Sequence, residues 1–91
     1  MKAIRIYVTG KVQGVFFRQS VKEVADNLNI NGFVQNRSDG SVYIEAEADE
    51  DSLKKLIQWC HNGPPASTVE KVDVTDSAAT GFTKFIIRYG E

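Results

Sequence analysis

Ile4, Ile6 and Val8 alternate with Arg5, Tyr7 and Thr9, and a period of two puts every second side chain on one face of a strand. The pattern predicts a half-buried strand over residues 3–10. Further on the period lengthens: Val21, Val24, Ala25 and Leu28 fall at i, i+3, i+4 and i+7, one apolar stripe of a helix over residues 17–29. Asn29, Asn31 and Gly32 end it, because Asn and Gly tolerate the left-handed backbone of a helix C-terminus. A second strand is expected over 33–37, then a two-residue type I′ turn at Asp39-Gly40. In the third strand Val42, Ile44, Ala46 and Ala48 face in, with Tyr43, Glu45 and Glu47 facing out. Asp49, Glu50 and Asp51 complement the positive end of a second helix. Its stripe is Leu53, Leu56, Ile57 and Cys60, and Gly63-Pro64-Pro65 stops it. Two more strands follow, over 69–75 with Val72 and Val74 inward, and over 82–89.

Helices with one apolar face and several alternating strands fit two helices on one face of a mainly antiparallel sheet. The order β-α-β-β-α-β is the split βαβ, ferredoxin-like α+β sandwich. Its four-strand core is expected in spatial order 4-1-3-2, with an extra strand that the pattern does not place.

Composition narrows the chemistry. At 91 residues, with 42% hydrophobic and 25% charged positions, the chain is expected to form one domain over 1–91 with no second core. One cysteine, Cys60, excludes an intrachain disulfide, and one histidine, His61, leaves too few soft ligands for a Cys/His metal site. No metal and no cofactor is expected. Eleven Lys and Arg against twelve Asp and Glu give no surplus positive charge for non-specific nucleic-acid binding. No apolar run is long enough to span a membrane or to serve as a secretory core. With the lone thiol, this points to the cytoplasm; a monomer is the expected state.

The segment Gly10-Lys-Val-Gln-Gly-Val-Phe-Phe-Arg18 joins a strand to a helix in an unusual way. Glycine allows close backbone approach, so successive N–H groups can converge on an anion. A helix N-terminus adds unpaired N–H groups and a favourable dipole, and Arg18 adds a planar fork of donors. Together these are the parts of an oxyanion cradle; a flexible turn with a solvated arginine uses the same residues. There is no Walker A sequence. Asn36 stands at a strand end where amides are depleted, either as a functional group or as a local turn cap. Phe16 and Phe17 are expected to anchor the loop in the core.

Gly10 to Arg18, then Gly32-Phe-Val-Gln-Asn36, Asp39-Gly40, Gly63-Pro-Pro-Ala66 and the strand after Phe82 resemble the acylphosphatases, in order and over nearly the whole chain. Ala48 and Asn29 stand where that family commonly has glycine. The resemblance implies hydrolysis of the carboxyl–phosphate bond of a small-molecule acyl phosphate, without a metal. It maps the family's catalytic arginine onto Arg18 and its catalytic asparagine onto Asn36. The loop Gln13, Gly14, Val15, Phe16, Phe17 and Arg18 would hold the phosphate through backbone N–H groups. With little loop for a specificity pocket, broad acceptance of small acyl groups is expected. Two binding roles remain as alternatives: a non-catalytic phosphate- or carbamoyl-phosphate-binding domain, and an RNA-binding module of the same fold, which needs exposed aromatics on the central strands.

Overall fold

A computed structural model describes residues 1–89, so the last two positions of the expected 1–91 domain lie outside the described residues. Strands β1 (Lys2–Lys11), β2 (Asn31–Asn36), β3 (Val42–Ala48), β4 (Thr68–Ser77) and β5 (Phe85–Arg88) form one sheet, and helices α1 (Phe17–Asn27) and α2 (Glu50–Asn62) pack on it. The strand order is β4-β1-β3-β2-β5. The expected 4-1-3-2 core is present, and the unplaced strand lies at the edge beside β2, running parallel to it.

The core forms where the two periods meet. Ile4, Ile6 and Val8 of β1 and Val42, Ile44 and Ala46 of β3 pack against Val21 and Ala25 of α1 and Leu53, Leu56 and Cys60 of α2. Burial pushes the Cys60 thiol up to about 12, which keeps it protonated and inert. Asp49 caps α2 by accepting from the Ser52 N–H at 2.7 Å. At the other end of α1, Asn29 adopts φ 56 and the Ile30 N–H returns to the Ala25 carbonyl at 2.9 Å, a Schellman closure. It stops the helix two residues short of the expected 29.

Three expectations are corrected. The β2–β3 connection is not a type I′ turn, because Asp39 does not share the positive φ of Gly40. Instead, Arg37 and Ser41 close a three-residue loop through Arg37 N–H to Ser41 O at 2.9 Å and Gly40 N–H to Arg37 O at 3.1 Å. Asp39 braces it by accepting from the Ser41 hydroxyl and N–H, and these bonds hold its carboxyl below the ordinary range. On β4, Val72 and Val74 face the helices as expected, opposite Val8 and Ile6, although Val72 is only half-buried and Val74 is exposed, because β4 is an outer strand with one flank in solvent. The last strand begins at Phe85 rather than at residue 82.

The third correction concerns the outward face of β3, where Tyr43 and Glu47 are buried. The Arg37 guanidinium lies 4.1 Å from the Tyr43 ring centroid, and the Tyr7 ring packs beside it at 4.8 Å. Burial, with the hydroxyl donating to Glu45 at 2.6 Å, pushes Tyr43 up to about 12. Arg88 covers Phe33 in the same way at 3.8 Å. The central strands thus carry aromatics, but Tyr43 and Phe33 are roofed by arginines and are not open stacking platforms.

Glu47 receives the Thr80 N–H at 2.5 Å, the Thr80 hydroxyl at 3.1 Å, and the Gly81 and Phe82 N–H groups at 3.1 Å each. Burial alone raises its pKa, but these bonds outweigh burial and hold it below the ordinary value. The β4–β5 connection is wrapped around this carboxylate. Asn31 Nδ2 adds a bond to Phe82 O at 3.1 Å, and the Gly32 N–H adds one to Lys84 O at 2.9 Å.

Candidate active site

Strands β1 and β2 are both antiparallel to β3, and β5 is parallel to β2. All three therefore deliver their C-terminal ends to the same end of the sheet. There the loop after β1, the last residue of β2 and the residue after β5 meet the start of α1. They enclose a cavity of about 360 Å³, lined by Val12, Gly14, Phe16, Phe17, Arg18, Gln19, Asn36, Ile87 and Tyr89.

β1 shifts register against β4 between Thr9 and Gly10, just before the loop begins after Lys11. Gly10 has φ 125 and lies so close to β4 that an added Cβ would collide with the Thr68 carbonyl oxygen. Its role is close strand approach, not contact with the cavity. Val12 and Val15 turn into the core and pin the loop from below. Gln13 turns the other way: its Nε2 donates to Arg37 O at 2.7 Å and to Ser41 O at 3.0 Å. These bonds tie the loop to the β2–β3 connection. The side chains of Gln13 and Val15 thus do not line the cavity, whereas Gly14, Phe16, Phe17, Arg18 and Asn36 do.

Phe16 and Phe17 take opposite fates. Phe17 is buried and meets Trp59 edge-on at 5.4 Å, as a core anchor should. Phe16 is 76% exposed, which corrects the expectation that both anchor the loop. It is also the residue that caps α1, with φ 64 and no side-chain capping bond. A bulky residue in this left-handed region costs about 1–3 kcal/mol. What the conformation achieves is geometric: it turns the chain so that α1 begins abruptly, and the first helical bond is Ser20 N–H to Phe16 O at 3.1 Å. The N–H groups before Ser20 lie at a helix N-terminus, where the helix itself supplies no acceptors and the dipole favours an anion.

Arg18 sits in that first turn with its guanidinium 4.9 Å from the Tyr89 ring centroid, an arrangement that orients the fork by cation–π contact. Asn36 closes the cavity from β2; its Oδ1 is buried and has no hydrogen-bond partner among the described residues. A buried acceptor without a donor costs free energy. The cavity can thus take a tetrahedral anion at the helix start, clamp it with one guanidinium, and offer a neutral acceptor beside it. Among the described residues, no group of three or more His, Cys, Asp and Glu could hold a metal ion.

Ile87 and Tyr89 were not singled out in the sequence. Their alternation marked a strand, but only its place beside β2 brings them to Arg18. Among the described residues, no helix is long and apolar enough to cross a membrane.

The acylphosphatase family model matches residues 4–87. An acylphosphatase of Thermotoga maritima is 44% identical over 89 residues, covering 98% of this chain and 99% of its own. One from Rubrobacter xylanophilus is 45% identical over 80 residues, covering 88% and 73%. The crystal structure of acylphosphatase from Bacillus subtilis matches with a TM-score of 0.95 and 42% identity, covering 98% of this chain and 100% of that one. The strand order, the glycine-bracketed loop and these likenesses agree, and the chain belongs to the acylphosphatase family.

Proposed function

We propose that this acylphosphatase holds the phosphoryl group of an acyl phosphate on the N–H groups of the Gln13–Arg18 loop and on Arg18, while Asn36 orients the attacking water. The observation that carries the proposal is that Arg18, Asn36 and the start of α1 line one cavity.

The reaction suits this sparse equipment. Water attacks phosphorus, the P–O bond to the acyl group breaks, and its electron pair leaves with a carboxylate. A carboxylate is a stable anion at neutral pH, so no general acid is needed at the leaving group. Charge builds on the equatorial phosphoryl oxygens, where preorganised N–H donors and a guanidinium act most strongly. Asn36 is neutral and can accept a hydrogen bond from water without repelling a phosphoryl dianion. It is too weak a base to keep the proton, which passes to a phosphoryl oxygen and leaves with inorganic phosphate.

The proposal includes one domain working as a monomer in the cytoplasm. The cavity is assembled within a single chain, and the buried free thiol of Cys60 suits a reducing compartment.

Hydrolysis of benzoyl phosphate, followed by ultraviolet absorbance with EDTA present, tests the assignment. Arg18→Lys is expected to lower kcat/KM by about a hundredfold or more and to weaken inhibition by phosphate, because lysine is a point charge without the fork. Near-normal turnover in that variant removes Arg18 from the mechanism.

A further inference from the structure

Glu47 is a buried carboxylate on the central strand β3, and the hydrolysis proposed above gives it no part. It stands opposite Asn31 of β2, and the two grip Phe82 from both sides. Glu47 Oε1 accepts from the Phe82 N–H at 3.1 Å, while Asn31 Nδ2 donates to the Phe82 carbonyl at 3.1 Å. Thr80 and Gly81 give three more bonds to the same carboxylate, and the Phe82 ring meets Phe33 edge-on at 5.8 Å. The chain therefore enters β5 from a fixed point.

β5 has little else to set its register. It is four residues long and pairs with β2 on one side only. A slip of two residues would keep each side chain on its face, but would bring Ile87 to the place of Tyr89. In the observed register Phe85 lies beside Gly32 and Arg88 beside Gln35. Tyr89 thus arrives at the level of Asn36, with its ring centroid 4.9 Å from the Arg18 guanidinium. Five residues of β2 separate Asn31 from Asn36, roughly 17 Å at the rise of a strand, so Glu47 works from the far end of the sheet.

We infer that Glu47 is a positioning residue for the phosphate clamp: its grip on residues 80–82 fixes the register of β5 and so holds the Tyr89 ring against the Arg18 guanidinium. This rests on the phosphoryl site proposed above. With the grip loosened, Tyr89 strays and Arg18 samples more orientations, which a bound phosphoryl group must then order. The loss falls on anion binding, in KM and in inhibition by phosphate, and leaves kcat near wild type.

Benzoyl phosphate kinetics with inorganic phosphate as inhibitor, well below the unfolding temperature, test this. Glu47→Gln keeps the side chain's length but turns an amide NH2 toward N–H donors. It is expected to raise the inhibition constant for phosphate about fivefold, the scale of one cation–π contact, with kcat within about twofold. Tyr89→Ser is expected to match it, and the double variant to show no further rise, because both act through one contact. Asp49→Ala, which removes the cap of α2 and so also destabilises, is expected to leave phosphate inhibition at the wild-type value. Asn31→Ala removes the other half of the grip and is expected to raise the constant about twofold or more; it decides the matter should Glu47→Gln fail to fold. A constant within about 1.5-fold of wild type in the folded variants overturns the positioning role. So does an equal rise in Asp49→Ala, or a full further rise when Glu47→Gln is added to Tyr89→Ser. Unchanged phosphate inhibition in Arg18→Lys is a different result: it overturns the phosphoryl site and the positioning role with it.

Discussion

Asn36 ends β2 with a buried Oδ1 that no donor among the described residues reaches. Leaving such an acceptor unmet costs about 1–3 kcal/mol, and in the proposed mechanism turning the amide toward the attacking water would recover that cost. Asn36→Ala is therefore expected to lower kcat by roughly a hundredfold while the inhibition constant for phosphate stays within about twofold. Loss of phosphate inhibition would instead make Asn36 an anion ligand. Glu47 is the opposite case, a carboxylate that accepts four hydrogen bonds. Its folded-state pKa is depressed, so its contribution is fully present above the unfolded value and is lost as pH falls through the folded one. Glu47→Gln is expected to destabilise by about 2–3 kcal/mol at neutral pH. It should also flatten the loss of stability as pH falls below about 5, both read by urea unfolding. The alternation of β3 marked Glu47 as outward, and its face is indeed the one away from the helices. What alternation does not carry is that a segment more than thirty residues later folds over that face.

At the scale of elements, the strands and helices were legible because each buries one flank and so leaves a periodic trace. Gly10 shows where local pattern runs out. In the sequence it belongs with Gly14 as loop glycine, yet the structure uses it at the β1–β4 contact, where a Cβ would strike the Thr68 carbonyl. Gly10→Ala is expected to cost about 3 kcal/mol or more, from a strained φ and a backbone clash together. The denaturation midpoint should fall with little change in its slope. The position of β5 was equally illegible, since it is set by pairing with β2 and by the Glu47-anchored connection, both non-local. With β5 unplaced, Ile87 and Tyr89 could not be assigned to the cavity, although Arg18 and Asn36 could be named from their motifs. The left-handed cap at Phe16 has no residue signal at all, because glycine or asparagine is the usual mark of that conformation.

Across the whole molecule, three strand ends and one helix start converge on the proposed anion site, so occupancy of that site should reach global stability. Phosphate binding only the folded state stabilises by about 2.7 kcal/mol at a concentration a hundredfold above its Kd. For a domain of this size that raises Tm by roughly 10–20 °C, read by thermal unfolding with and without phosphate. In Arg18→Lys the rise should shrink to a fraction of that.

The sheet ends on one side at β4, ten residues long and largely exposed, with its outer row of backbone donors and acceptors facing solvent. A net charge of −1 gives little long-range repulsion between molecules. Protection against edge-to-edge stacking therefore falls to the strand's own exposed Glu70, Lys71, Asp73 and Asp76. These side chains lie across the sheet from β5 and its cavity wall. Colloidal behaviour and turnover thus reside in different parts of one small chain, and a substitution that makes fibres here can leave each remaining folded molecule an intact enzyme.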